Sequence, residues 1–482
     1  MSEVSFFHIG HRAQPLMLAA LLISAGCFAV GPDYKAPDIA APARWQQPLR
    51  AGLNGAEPDA QALATWWTTL NDADLSDLIE RAAAGNLDLK IARARVREAR
   101  GRRGIAQAGL FPFLDLGGSA TVSRGSEDIG SGERRELYRT GFDASWEVDV
   151  FGGVRRSIEA AQGDLEANVA DYRDVMVSLL AEVALNYVEA RTLQMQLQVG
   201  EENLKSQAET LQLTEWRLAA GLVSVLDAEQ ARSNLESTRA ALPRLRSSIA
   251  AAKNRLAVLL GVFPGALEAQ LAARRPVPEP PLEIAVGVPA EVLRRRPDVQ
   301  RAERQLAAQT ARIGVATADL YPRFVLPGSI GLEALSTNHL FLSGSRVWSI
   351  AGSVSWPVFQ GGAIRQNIEV QNALQEQALE RYEAALLVAL EEVENSLVAY
   401  AEEQDRSGAL TQATQAAEGA AELAREQYAS GLIDFQTVLD AERSVLSLQE
   451  QLAQSRGQVA ANVISLYKAL GGGWTSMTGA AP

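Results

Sequence analysis

The chain has 482 residues, 47% of them apolar and 21% charged, which supplies sizeable cores and excludes a chain disordered by composition. Its 45 Lys and Arg against 58 Asp and Glu leave a formal charge of −13, the wrong sign for a nucleic-acid binder working by counterion release. One cysteine (Cys27) and three histidines (His8, His11, His339) exclude an intrachain disulfide and leave almost no material for a metal site or a His-based catalytic dyad.

At the N-terminus, His11 and Arg12 precede the apolar run Leu16-Met17-Leu18-Ala19-Ala20-Leu21-Leu22-Ile23. About eight residues cannot span a ~30 Å hydrocarbon core but suit the core of a signal peptide. Ser24-Ala25-Gly26 then place small residues before the sole thiol. This pattern resembles a bacterial lipoprotein lipobox, although Ser24 stands where an aliphatic residue is usual. The resemblance implies a signal peptide over 1–26 and a covalent lipid on Cys27. Phe28, in place of the Asp that implies inner-membrane retention, implies passage to the outer membrane. An ordinary signal peptide with an incidental cysteine is the alternative. Residues 27–72 follow as an extended, lipid-anchored arm, rich in Pro, Ala and Gly over 31–60.

Residues 73–261 form a first repeat. A helix is expected at about 73–109. Leu114, Leu116, Ala120 and Val122 then alternate with Asp115, Ser119, Thr121 and Ser123, and Phe142, Ala144, Trp146, Val148 and Val150 alternate with Asp143, Ser145, Glu147 and Asp149. Period two puts apolar residues on one face and polar ones on the other. Strands are expected at about 111–123 and 139–150, each about the length of a transmembrane β-strand. The polar parity then makes Asp143, Glu147 and Asp149 line a barrel lumen, and 124–138 becomes an external loop. From about Arg155 to Arg217 there is no proline, and Leu165, Val169, Tyr172, Met176, Leu179 and Val183 recur at coiled-coil spacing. Sixty residues make a helix of ~90 Å. A second helix covers about 224–260, with a bend expected at Pro243.

Pro276-Val277-Pro278-Glu279-Pro280-Pro281 marks a proline-rich connector over 262–289. Residues 290–474 form a second repeat, with helices at about 290–318, 364–428 and 435–470. Strands are expected at about 322–334 and 347–358, joined by a loop at 336–346; residues 475–482 are a tail. Landmarks recur at nearly one offset: Leu110-Phe111-Pro112 with Leu320-Tyr321-Pro322, Gly152 with Gly361, Gly221 with Gly431, and Leu226-Asp227-Ala228-Glu229 with Leu439-Asp440-Ala441-Glu442. A period near 210 means two similar halves rather than a solenoid.

Four strands per chain cannot close, and open edges are not tolerated in lipid. The protein is therefore expected to be an oligomer, with 8 strands from two copies or 12 from three. A conduit needs three or more. No phosphate-binding GxxxxGK[ST] and no HExxH motif is present, so no enzyme is indicated and no cofactor is expected.

Several further segments carry a resemblance: Val30-Gly31-Pro32-Asp33-Tyr34, Trp66-Trp67, Asn86-Leu87-Asp88-Leu89, Leu293-Arg294-Arg295-Arg296-Pro297-Asp298-Val299 and Phe359-Gln360-Gly361-Gly362. Together they resemble the outer-membrane factor (TolC-like) family of export ducts, in its lipoprotein branch serving resistance–nodulation–division pumps. The resemblance implies an α+β membrane protein with two structural repeats. A long α-helical coiled-coil barrel in the periplasm joins four transmembrane β-strands per chain, which close a 12-stranded barrel in a homotrimer. It implies an outer-membrane exit duct of a tripartite efflux pump, with a periplasmic adaptor and an inner-membrane pump as partners and outer-membrane lipid around it. The cargo could instead be protein, as in type I secretion, and a periplasmic coiled-coil scaffold is a further alternative. The turns at Gly221 to Ser224 and Gly431 to Asp434 are expected adaptor contacts. The family's constriction matches Asp440, with Arg443 at i+3 placed to neutralise it. Thr437 and Gln436 stand where a second ring often lies.

Overall fold

The computed structural model describes residues 29–38 and 41–474; Cys27 and the signal-like segment lie outside the described residues. The first repeat region runs β1 (Leu53–Asn54), α1 (Ala60–Ala64), a 3-10 turn (Trp66–Leu70), α2 (Ala73–Gly85), α3 (Leu87–Ala108), β2 (Phe113–Arg124), β3 (Arg134–Val148), α4 (Gly153–Ala219) and α5 (Val225–Leu259). After it come β4 (Ile284–Ala285), α6 (Pro289–Arg295), α7 (Pro297–Ala318), β5 (Arg323–Ala334), β6 (Arg346–Ile350), β7 (Ser353–Ser355), α8 (Ala363–Ala429) and α9 (Phe435–Ala469). Among the described residues, those at 29–37, 97–167 and 302–382 group into one unit, and those at 38, 41–96, 168–301 and 383–474 into another.

Two expected helices are each broken in two. Asn86 interrupts 73–109: its side-chain oxygen accepts from the Leu89 amide at 2.9 Å, an N-cap that starts α3. Pro297 interrupts 290–318. The residue before a proline is pushed to extended backbone, and Arg296 has ψ of 126°. Pro297 then begins α7, where a missing N–H costs nothing. Pro243 lies inside α5 without ending it.

In the first unit the strands form one antiparallel sheet, ordered β2-β3-β5-β6 with β7 also on β5. β3 begins earlier than expected, at Arg134, and ends at Val148, so the loop shortens to 125–133. The expected strand at 347–358 is split and stops at Ser355. The split is not a register shift: Gly328 faces Ile350 and Val325 faces Ser353, a constant register across the gap. Ala351 donates to the Pro327 carbonyl at 2.9 Å, but Pro327 has no N–H to return.

The second unit holds a large apolar core. Trp66, Trp67 and Leu70 of the 3-10 turn and Leu75, Leu78 and Ile79 of α2 pack with Tyr187 of α4, Leu256 of α5, Tyr400 of α8 and Ile464 of α9. Trp66 stacks on Tyr467 at 5.6 Å. The connector pairs with the arm, since β1 and β4 are parallel neighbours and the Trp45 indole donates to the Gly287 carbonyl at 2.9 Å. Among the described residues no helix is long and apolar enough to cross a membrane.

Candidate functional site

The sheet sorts its side chains by register. Leu116, Phe142, Ile330 and Trp348 stand in one row across β2, β3, β5 and β6. Neighbouring rows of the same parity hold Leu114 with Ala144, and Trp146 with Leu326. This face is exposed: Leu116 keeps 70% of its surface and Trp348 76%. The opposite parity brings Asp115, Asp143, Ser329 and Ser349 into one row. Glu147 faces Val325 on that same side. Asp143 and Glu147 therefore lie on the polar face, as their parity predicts.

Asp149 does not. It falls beyond the end of β3, and its carboxylate accepts from the Val154 and Arg155 amides at 3.0 Å each and from the Arg155 guanidinium at 3.2 Å. Its oxygens satisfy the first free N–H groups of α4. Asp149 is a helix cap rather than a lumen residue. Strand parity could not reveal this, because the strand ends one residue before it.

The two long hairpins turn by one device used twice. At Gly221 (φ 73°) the Leu222 amide donates to the Arg217 carbonyl at 2.8 Å and the Gly221 amide to Leu218 at 2.9 Å. At Gly431 (φ 76°) the Leu432 amide donates to Gln427 and the Gly431 amide to Tyr428, each at 2.9 Å. Both are Schellman caps that need positive φ. Ser224 and Asp434 then start the next helices. Ser224 forms a capping box with Asp227. Asp434 accepts from the Thr437 amide and hydroxyl, which hold its carboxyl below the usual range. The turns leave Leu222, Val225, Leu226 and Leu432 exposed. Arg217 lies 4.5 Å over the Tyr428 ring, tying one turn to the other.

Asp440 is exposed on α9 and accepts from the Gln436 amide one turn earlier, at 2.9 Å. The expected Asp440–Arg443 pair is not formed. Arg443 instead donates from Nε to Asn234 of α5 at 3.3 Å. Spacing along one helix could not foresee a partner supplied by the other repeat. Sequence reading also missed Glu442, which is 5% exposed, accepts from the Thr210 hydroxyl of α4 and has its carboxyl pushed up by burial. Thus α9 is tied to α4 through Glu442 and to α5 through Arg443.

A family model described as outer membrane efflux protein matches residues 78–262 and 288–472, one match per repeat. Nodulation protein T of Rhizobium leguminosarum bv. trifolii is 31% identical over 458 residues, covering 94% of this chain and 96% of that protein. The cation efflux system protein CusC of Escherichia coli O6:H1 is 30% identical over 459 residues, covering 95% and 98%. The solved structure of the outer-membrane channel OprN superposes with a TM-score of 0.88 at 37% identity, covering 92% of this chain and 99% of that one.

Proposed function

Given that this chain belongs to the outer membrane efflux protein family, we propose that it is the exit duct of a tripartite efflux pump, passing small molecules passively from the periplasm to the exterior. The observation that carries this reading is the four-strand sheet, with one exposed face apolar in every strand and the other bearing Asp115, Asp143 and Glu147. Such a sheet suits lipid on one side and water on the other. Three copies supply the 12 strands that close around a channel, so the working form is a homotrimer.

A duct without an energy source needs a pump. The turns at Gly221, Ser224, Gly431 and Asp434 are the surface offered to a periplasmic adaptor, which links the duct to a resistance–nodulation–division pump. Their exposed Leu222, Leu226 and Leu432 give such a contact apolar area to bury. Asp440, exposed on α9, supplies one acidic group per copy to a periplasmic constriction. Cys27 carries the lipid anchor.

The test is reconstitution. Purified protein in planar bilayers should give small, cation-preferring channels, and photo-crosslinkers at Ser224 and Asp434 should capture the adaptor in cells. A protein that forms no channel, or that crosslinks to the adaptor only from the 125–133 and 335–345 loops, would contradict the reading.

A further inference from the structure

Where β3 and β5 meet α3, α4 and α7, the first unit holds an open cavity of about 340 Å³. Its walls are apolar. Ile105 of α3, Val154 of α4 and Val315 of α7 line it, together with the Phe151 ring, which is stacked on Tyr321 at 4.6 Å. Ile105 keeps 75% of its surface, so this wall is open to a ligand. At one end α4 and α7 approach closely, since a Cβ on Gly153 would lie 3.0 Å from the Ala318 Cβ. A second cavity of about 530 Å³ shares Ile105, Ser157, Val315 and Asp319 with the first and extends the space along the helices. These dimensions suit a drug-sized molecule.

Three carboxylates line the first cavity, and two are already engaged. Asp149 holds the Val154 and Arg155 amides and the Arg155 guanidinium. Asp319 is paired with Arg323, which also lines the cavity. The Glu147 side chain is exposed on the polar face and, among the described residues, has no hydrogen bond or ion pair. The other repeat shows that this junction folds without a carboxylate there. Helices α4 and α8 are each 67 residues long and begin 210 positions apart, and at that offset Pro357 stands in place of Glu147. Glu147 is thus a free anion at the edge of an apolar cavity. Its charge repels an anionic guest. A small inorganic cation would leave the walls unused, and a neutral guest would leave the carboxylate unpaired. An apolar body carrying one positive charge satisfies both.

We propose that this cavity is a wall site for amphiphilic organic cations, with the cationic centre beside Glu147 and the ring-bearing body against Ile105, Val315 and Phe151. The inference rests on the duct reading above, in which Glu147 faces the lumen, and it names a class of cargo. Glu147 is then a specificity residue that selects cargo by charge, and Ile105 one that selects it by apolar surface.

The experiment measures equilibrium dialysis of three probes against the full mature protein in lipid nanodiscs, with empty discs subtracted. Tetraphenylphosphonium carries charge and rings, tetraphenylborate has the same shape with the opposite charge, and tetramethylammonium has charge without rings. Tetraphenylphosphonium should bind more tightly than either of the others. Glu147→Gln should weaken it roughly fourfold, and Ile105→Ala, an exposed position, roughly fivefold. Asp143→Asn should leave this binding within about twofold, because Asp143 lies outside the cavity. Equal binding of tetraphenylphosphonium and tetraphenylborate to the unaltered protein overturns the site, whatever the variants do. Equal binding of tetramethylammonium overturns it as well, since charge alone would then suffice. A loss in Asp143→Asn as large as in Glu147→Gln assigns the preference to the general field of the acidic face and not to this cavity. Channel recordings on the same preparation separate the two claims. Conductance without preference for tetraphenylphosphonium refutes this site alone; no conductance refutes the duct.

Discussion

Trp146 and Trp356 occupy equivalent places in the two repeats and make the same bond: their indole N–H groups donate to the Leu110 and Leu320 carbonyls, each at 3.0 Å. Each tryptophan closes the junction where a strand meets the residues that precede its repeat's first strand. Trp146 lies two residues from the end of β3, so it sits at a membrane boundary rather than at mid-depth. Phe142, two same-face rows from Trp146 and Leu326 with Ala144 between, lies deeper in the apolar face. Phe142→Arg should therefore cost roughly 2–4 kcal/mol per chain, while Trp146→Arg should cost only about 0–1. Denaturant titration of the protein folded into vesicles measures both. A larger loss for Trp146→Arg would reverse the depth order.

A second prediction concerns the curvature of the sheet. Gly117, Gly141 and Gly331 stand in one row on the polar face. A Cβ on Gly141 would lie 2.7 Å from the Gly331 Cα, against backbone that cannot turn aside. A Cβ on Gly117 would meet only the Asp143 carboxylate, at 3.9 Å. Gly141→Val should cost about 1–3 kcal/mol by overpacking, and Gly117→Ala should be close to neutral. Folded yield and urea midpoints of the two variants should differ accordingly.

The contrast between strands and helix ends explains what a sequence can reveal here. Period-two alternation depends only on neighbours along the chain, so the parity of Asp143 and Glu147 was legible, as were the glycine turns at Gly221 and Gly431. The helix breaks also had local signals in Asn86 and Pro297, but the long amphipathic stretches around them masked the interruption. Asp149 was misread because an alternating pattern does not announce where pairing stops. Arg443 was misread because its acceptor, Asn234, is 209 positions away. Burial of Glu442 was equally hidden, since it depends on Thr210 in the other repeat.

The lipid anchor makes a third prediction, motivated by Cys27 at the end of a signal-like segment. Intact-mass analysis of membrane-extracted protein should show residues 1–26 removed and Cys27 acylated. Cys27→Ser should lose the lipid while still inserting, because a closed barrel holds itself in the bilayer. Unmodified Cys27 in the extracted wild type would rule the anchor out.

Glu442 makes the fourth. Burial raises its carboxyl above the ordinary glutamate range, against the opposing pull of the Thr210 hydroxyl and of Arg425. A carboxyl whose pKa is higher in the folded state than in the unfolded state contributes stability below its unfolded pKa. That stability is lost as pH rises through the folded value. Hydrogen exchange in α4 and α9 around Thr210 and Glu442 should therefore quicken as pH rises from the ordinary glutamate range, after correction for intrinsic exchange. Glu442→Gln should flatten this dependence. A pH response of the same size in Glu442→Gln would assign it to another group.

The last prediction concerns the constriction. An acidic ring formed by Asp440 repels itself unless something neutralises it or holds the helices together. Arg443 was the expected neutralising partner, but it holds Asn234, and Asp440 is held by Gln436. On the duct proposal, Arg443 would act by fixing α9 against α5, and Asp440 would be the charge presented to the pore. These roles separate in double-substitution cycles read by single-channel conductance. Asp440→Ala should weaken cation preference, and Arg443→Ala should raise conductance by loosening the helix pair. Asn234→Ala should raise it similarly, and Arg443→Ala with Asn234→Ala should do little more than either alone. Arg443→Ala with Asp440→Ala should combine the two separate effects. Strong coupling between Asp440 and Arg443, with none between Arg443 and Asn234, would restore the direct ion pair and remove the tie to α5 from the mechanism.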